Sequence, residues 1–157
     1  MSTTREVPAG RKYSYEVNRT STASPEALFA LEADGPRWAE WGKPLIVQAR
    51  WARPGTGEPE GVGAVREVGL WPVLIREETL EYEPGRKHVY TFAAGKPLKD
   101  YRAEVLFTPA PGGGTHLRWT GSFTEPVRGS GPVLAATLRA TIRLFSAKLV
   151  KAAETGR

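Results

Sequence analysis

The chain contains no cysteine, which excludes disulfide bonds and thiolate chemistry. Histidine is nearly as scarce: His88 and His116 are the only two, too few to build a zinc centre without thiolates. No run of about 18 apolar residues occurs, so no membrane insertion is expected. The N-terminal stretch MSTTREVPAG lacks the apolar core of a signal peptide, and the expected location is cytoplasmic. A nucleophile elbow, a phosphate-binding glycine loop and a paired-carboxylate motif are missing as well. Gly112, Gly113 and Gly114 precede a strand pattern rather than a helix, which makes them a hairpin turn and not a phosphate cradle. Lys and Arg outnumber Asp and Glu by 22 to 17, but they are scattered and form no basic run, so no nucleic-acid partner is expected. No cofactor is implied.

What is present reads as a globular protein. With 157 residues, 40% hydrophobic and 25% charged, the chain fits one domain able to bury a sizeable core. Residues 1–10 are expected to form a loose tail and 11–157 a single domain. The strongest periodic signal is Gly131 to Thr155, where Leu134, Leu138, Thr141, Ile142, Phe145, Leu149 and Ala152 recur at helical spacing. Arg139, Arg143 and Ser146 fall on the opposite side. Pro132 suits a first helical turn and Gly156 stands where the helix should stop.

Upstream, Lys12 to Thr20 alternates Tyr13, Tyr15 and Val17 with polar residues, as a half-buried strand does. Ser24 and Pro25 open a short helix ending near Ala33, and Pro36 to Trp41 is a second short helix or helical turn. Six strands then follow: Leu45 to Ala52, Val62 to Leu70, Val73 to Tyr82, His88 to Ala94, Tyr101 to Thr108 and His116 to Thr124. Short Pro- and Gly-rich turns separate them, which implies antiparallel neighbours. The expected fold is α+β: a helix-grip fold in which a seven-stranded curved antiparallel sheet wraps a long C-terminal helix, with two short helices between the first and second strands.

Polar residues on apolar faces are the candidates for chemistry. Arg66 shares parity with Val62, Ala64 and Val68, and Glu78 shares parity with Leu80 and Tyr82. An even register across the Trp71-Pro72 turn makes Arg66 and Glu78 cross-strand neighbours inside the curl, either as a structural pair or as a cation and carboxylate facing a ligand. His88, if it points inward with Tyr90 and Phe92, is the one candidate imidazole base, while His116 lies on a polar face.

The chain resembles the START-like, or pollen-allergen-like, superfamily (SRPBCC), and within it the bacterial polyketide cyclase/dehydrase group, from about Tyr13 to Ala153. The resemblance is carried by Ser24-Pro25-Glu26 leading to Trp38 and Trp41, by Gly63 to Arg66, by Glu78 to Gly85 with Tyr90, and by Gly95 to Tyr101 with Pro109, Gly113 to Thr115, Trp119 and Phe123. It implies a cavity between sheet and long helix, with Trp38, Trp41, Tyr90, Phe92, Tyr101, Trp119, Phe123, Leu138, Ile142 and Phe145 as lining candidates alongside Arg66 and Glu78. Plain core packing is the competing role for each aromatic.

Three functions follow from these readings. The first is binding of a small hydrophobic or aromatic, polyketide- or lipid-like molecule. The second is a polyketide cyclase or dehydratase, with Arg66, Glu78 or His88 as catalytic candidates. The third is a protein-interaction module with a filled core, which the off-stripe Leu144 and Val150 would serve. A homodimer is compatible with all three.

Overall fold

The structure is a computed structural model and describes residues 10–156; most of the expected N-terminal tail lies outside them. The elements run β1 (Lys12–Ser21), α1 (Pro25–Ala33), a 3-10 turn (Gly35–Arg37), α2 (Trp38–Trp41), β2 (Gln48–Arg53), β3 (Val65–Leu70), β4 (Val73–Glu83), β5 (Lys87–Phe92), β6 (Arg102–Pro109), β7 (Thr115–Thr124) and α3 (Gly131–Thr155). All seven strands form one antiparallel sheet in the order β1-β7-β6-β5-β4-β3-β2. The helix-grip architecture expected from the sequence is therefore present: the last strand pairs with the first, and two short helices lie between β1 and β2.

Alternation fixes which face of the sheet is buried. Tyr101, Ala103, Val105 and Phe107 near and along β6, and Leu117, Trp119 and Phe123 on β7, are all 3% exposed or less. On α1, the Ser24 hydroxyl accepts the Ala27 N–H at 3.1 Å, a side-chain N-cap that satisfies one of the free donors of the first turn. The other end of α1 carries free carbonyls, and indoles close them: Trp38 Nε1 donates to the Glu32 carbonyl at 2.7 Å and Trp41 Nε1 to that of Leu31 at 3.1 Å. These bonds pin α2 under α1 and bring two large rings into the interior.

Helix α3 packs chiefly along β1 and beneath α1, near one side of the sheet. Ser146, expected on the polar side, is instead buried at 1%, its hydroxyl accepting the Arg19 Nε–H from β1 at 2.7 Å. The flank of the helix lies against a strand, so the apolar stripe is only part of its buried surface. The N-terminal half of that stripe is not fully covered. Leu134, Leu138, Thr141 and Phe145 are half-buried, whereas Ile142 and Leu149 are buried. The sheet opposite this half, at β3 to β5, stands away from the helix.

Candidate functional site

Between α3 and the β3–β5 part of the sheet lies a cavity of about 400 Å³, within the range of roughly 300–1,000 Å³ usual for small-molecule sites. Its walls are Trp38 from α2, Val68 from β3, Ile75 and Glu77 from β4, Tyr90 and Phe92 from β5, Tyr101, and Leu138, Thr141, Ile142 and Phe145 from α3. Leu45, Ile46 and the β3–β4 turn, Leu70 to Val73, surround its mouth. Trp71 at the tip of that turn is 71% exposed and Val73 68%, an apolar lip turned to solvent.

Seven of the residues expected to line a cavity do so: Trp38, Tyr90, Phe92, Tyr101, Leu138, Ile142 and Phe145. Trp41, Trp119 and Phe123 do not reach the void; they are 6%, 0% and 1% exposed and pack behind its walls. Trp119 sends its Nε1–H to the Tyr90 hydroxyl at 3.2 Å, which holds that ring upright in the wall. Tyr101 is held by its hydroxyl bond to Tyr15 at 2.5 Å and by stacking on Phe92, with centroids 4.1 Å apart.

The expected Arg66–Glu78 pair is not formed. Arg66 stands opposite Glu77, and Val65 opposite Glu78. Arg66 Nε donates to Glu77 Oε1 at 2.9 Å inside the curl, while Glu78 points to the other face and takes the Arg53 Nη2–H at 2.8 Å. The register across the two-residue Trp71-Pro72 turn is odd, with Leu70 facing Val73, and not the even one expected, so Arg66 meets Glu77. Parity with Tyr82 misleads as well, because β4 has an irregularity between Thr79 and Glu81, where the ladder passes from Thr79↔Tyr90 to Glu81↔Val89. Leu80 is the inserted residue, and it reverses the strand's parity. Tyr82 faces inward after it, but so do Glu77 and Thr79 before it. Counting back from Tyr82 therefore gives the wrong face.

Behind the cavity wall, Arg66 belongs to a buried polar cluster. Its Nη1 donates to the Glu32 carbonyl at 2.6 Å and its Nη2 lies 3.4 Å from Glu32 Oε1. Gly35 permits this approach, because a Cβ there would stand 2.7 Å from that of Arg66. Glu32, 0% exposed, also binds His88 Nδ1 at 2.8 Å, and His88 Nε2 meets the Thr79 hydroxyl at 2.9 Å. One imidazole therefore bridges the Glu32 carboxylate and the Thr79 hydroxyl. His88 thus points inward but is sealed from the cavity, at 1% exposed. Arg66 is sealed too: its guanidinium carbon lies 4.5 Å from the Trp38 ring centroid and 4.8 Å from that of Tyr90, with both rings in the wall.

Electrostatics separate the two acids. Burial works to raise the Glu32 carboxyl, but His88 and Arg66 outweigh it and hold the group below the ordinary carboxylate range. Glu77 moves the other way: burial lifts its carboxyl, and Arg66 offsets this only in part. Burial also keeps the Tyr90 and Tyr101 phenols protonated well above their usual range. Among the described residues no group of three or more His, Cys, Asp or Glu has the arrangement of a metal site.

Glu32 and Glu77 were both missed in the sequence, although each left a signal. Glu32 falls four residues after Leu28, on the apolar face of α1, and Glu77 shares parity with Ile75 and Thr79 in the first half of β4.

A curved sheet gripping a long C-terminal helix over an apolar cavity defines a helix-grip protein of the START-like class. The chain belongs to the family described as polyketide cyclase / dehydrase and lipid transport, whose model matches residues 3–154. No curated protein matches the sequence. Similar solved structures include the Aha1 dimer from Colwellia psychrerythraea, at 15% identity over 92% of this chain and 98% of that one, with a TM-score of 0.70. Protein SA2116 from Staphylococcus aureus, whose function is unknown, has 12% identity over 93% and 96% and a TM-score of 0.75. Ara h 8.0201 has 19% identity over 92% and 96% and a TM-score of 0.67. Identities this low carry the fold and nothing finer.

Proposed function

We propose that this protein binds a small hydrophobic or aromatic molecule, polyketide- or lipid-like, between the β3–β5 part of the sheet and α3. The observation that carries the reading is the cavity of about 400 Å³ walled by aromatic and aliphatic side chains. Burial of apolar ligand surface, at about 25 cal/mol per Å², drives binding, and the wall aromatics add packing energy. Soluble, cytoplasmic action fits this reading, and a homodimer is compatible with it.

Native mass spectrometry of freshly purified protein, set against the same sample denatured, tests the proposal. A small-molecule adduct that disappears on denaturation is expected. If the bare mass persists even after incubation with aromatic polyketide and lipid extracts, the reading fails.

One observation favours catalysis as a second reading. Glu77, a carboxyl shifted upward by burial, faces the cavity with a cation behind it, which suits a general acid or base for enolisation or dehydration. A cyclase or dehydratase working this way would lose turnover in Glu77→Gln while still binding substrate. Turnover retained in that variant would remove Glu77 from the chemistry.

A further inference from the structure

We propose that the cavity selects ligands with a hydrogen-bond donor at one end, a hydroxyl or a protonated amine on an apolar or aromatic skeleton, and rejects carboxylates. This rests on the cavity-binding reading above and adds the polar chemistry of the ligand to it. Glu77 is the one carboxylate among the residues lining the cavity, and no Lys, Arg or His lines it. Its Oε1 accepts the Arg66 Nε–H at 2.9 Å. Its Oε2 has no protein partner among the described residues, yet no fully buried side-chain oxygen is left without one. The second oxygen therefore touches open space, and for a residue only 9% exposed that lines the void, the open space is the cavity. An acceptor facing an apolar void is incompletely satisfied until a ligand donor or a water reaches it.

The same geometry disfavours an anionic head group. Arg66 is the nearest cation, but its Nε, Nη1 and Nη2 already serve Glu77 and Glu32. The Trp38 and Tyr90 rings stand over its guanidinium, and both rings are part of the cavity wall. The Tyr90 hydroxyl accepts the Trp119 indole N–H and that of Tyr101 pairs with Tyr15; both are neutral groups on nearly sealed rings, 1% and 3% exposed, and neither offers a positive charge to an anion. A carboxylate entering the cavity would meet like charge with no cation in reach, a repulsive element of the kind that creates specificity.

The test uses probes of one skeleton, namely 2-naphthol, 2-naphthylmethylamine, 2-methylnaphthalene and 2-naphthoate, titrated by fluorescence into wild type and Glu77→Gln at about pH 8, where free naphthoate is anionic and the free amine largely cationic. In wild type the naphthol and the amine should each bind about tenfold or more tighter than naphthoate, with methylnaphthalene between them. The difference between the first two tells hydroxyl from amine ligands. Glu77→Gln keeps an acceptor for Arg66 and removes the charge, so naphthoate should gain several-fold and the order should flatten. Naphthoate binding wild type as tightly as naphthol, or an unchanged order in the variant, overturns the selectivity while leaving the cavity reading intact. Failure of all the probes to bind overturns both. The wild-type series stands as a test even if the variant does not fold.

Discussion

Arg66 joins the two halves of the interior: it ties β3 to β4 through Glu77 and to α1 through Glu32. Removing it leaves two carboxylates buried without their cation. Arg66→Ala should therefore cost roughly 3–5 kcal/mol, the scale of a broken buried ion pair, and chemical denaturation measures it. A loss below about 1 kcal/mol, the worth of a surface pair, would show that the cluster is not what holds these elements together. Glu32 predicts a pH dependence. Its folded carboxyl sits below the ordinary range, so the stability it contributes is fully present above the unfolded value of about 4.3 and is lost as pH falls through the lower folded one. Glu32→Gln should flatten the fall of stability with pH below about 4, and equal slopes for the two proteins would contradict this. None of these partners was legible as a partner in the sequence. Arg66 could be placed on an apolar face by parity, but Glu32 reaches it across 34 residues, and no periodicity encodes a contact between a helix end and a distant strand.

Helices and strands were far more readable than their contacts, because one buried face imposes a period on the residues that make it. Strands β6 and β7 alternate cleanly, and the α3 limits, Gly131–Thr155, coincide with those expected from Pro132 and Gly156. β4 departs from its expected reading at two points, its register with β3 and its parity past Leu80. A single inserted residue at Leu80 exchanges the faces of the strand: parity with Ile75 turns Glu77 inward, parity with Tyr82 turns Glu78 inward, and nothing in the sequence between them marks the insertion that decides for Glu77. The β3–β4 turn was read as a connection alone, but it forms the lip of the cavity. Trp71 at its tip is 71% exposed and makes little of the core, so Trp71→Ala should change stability by no more than about 0.5 kcal/mol. As a mouth residue it should slow ligand exit, and the same variant should release a bound probe several-fold faster in stopped-flow fluorescence. An unchanged release rate would make the exposed ring irrelevant to the site.

For the molecule as a whole, the grip of sheet on helix follows from a rule of area: a seven-stranded sheet with one apolar face and a long helix with one apolar stripe cover each other. That rule does not say whether the space between them is filled. Aromatic residues serve equally as core and as cavity wall, which is why Trp119 and Phe123 look like Tyr90 and Phe92 in the sequence yet only the latter two face the void. The void exists because α3 lies along β1 at one side of the sheet, and that placement depends on contacts such as Arg19 with Ser146 that carry no sequence signature. The most direct measurement is to fill it. Ile75 is half-buried in the cavity wall, and Ile75→Trp would project an indole into the space a ligand needs. Calorimetric titration of 2-naphthol into this variant and into wild type should show binding to wild type and a loss of about tenfold or more in the variant, with thermal stability kept. Equal affinity in the two proteins would contradict a ligand site between sheet and helix.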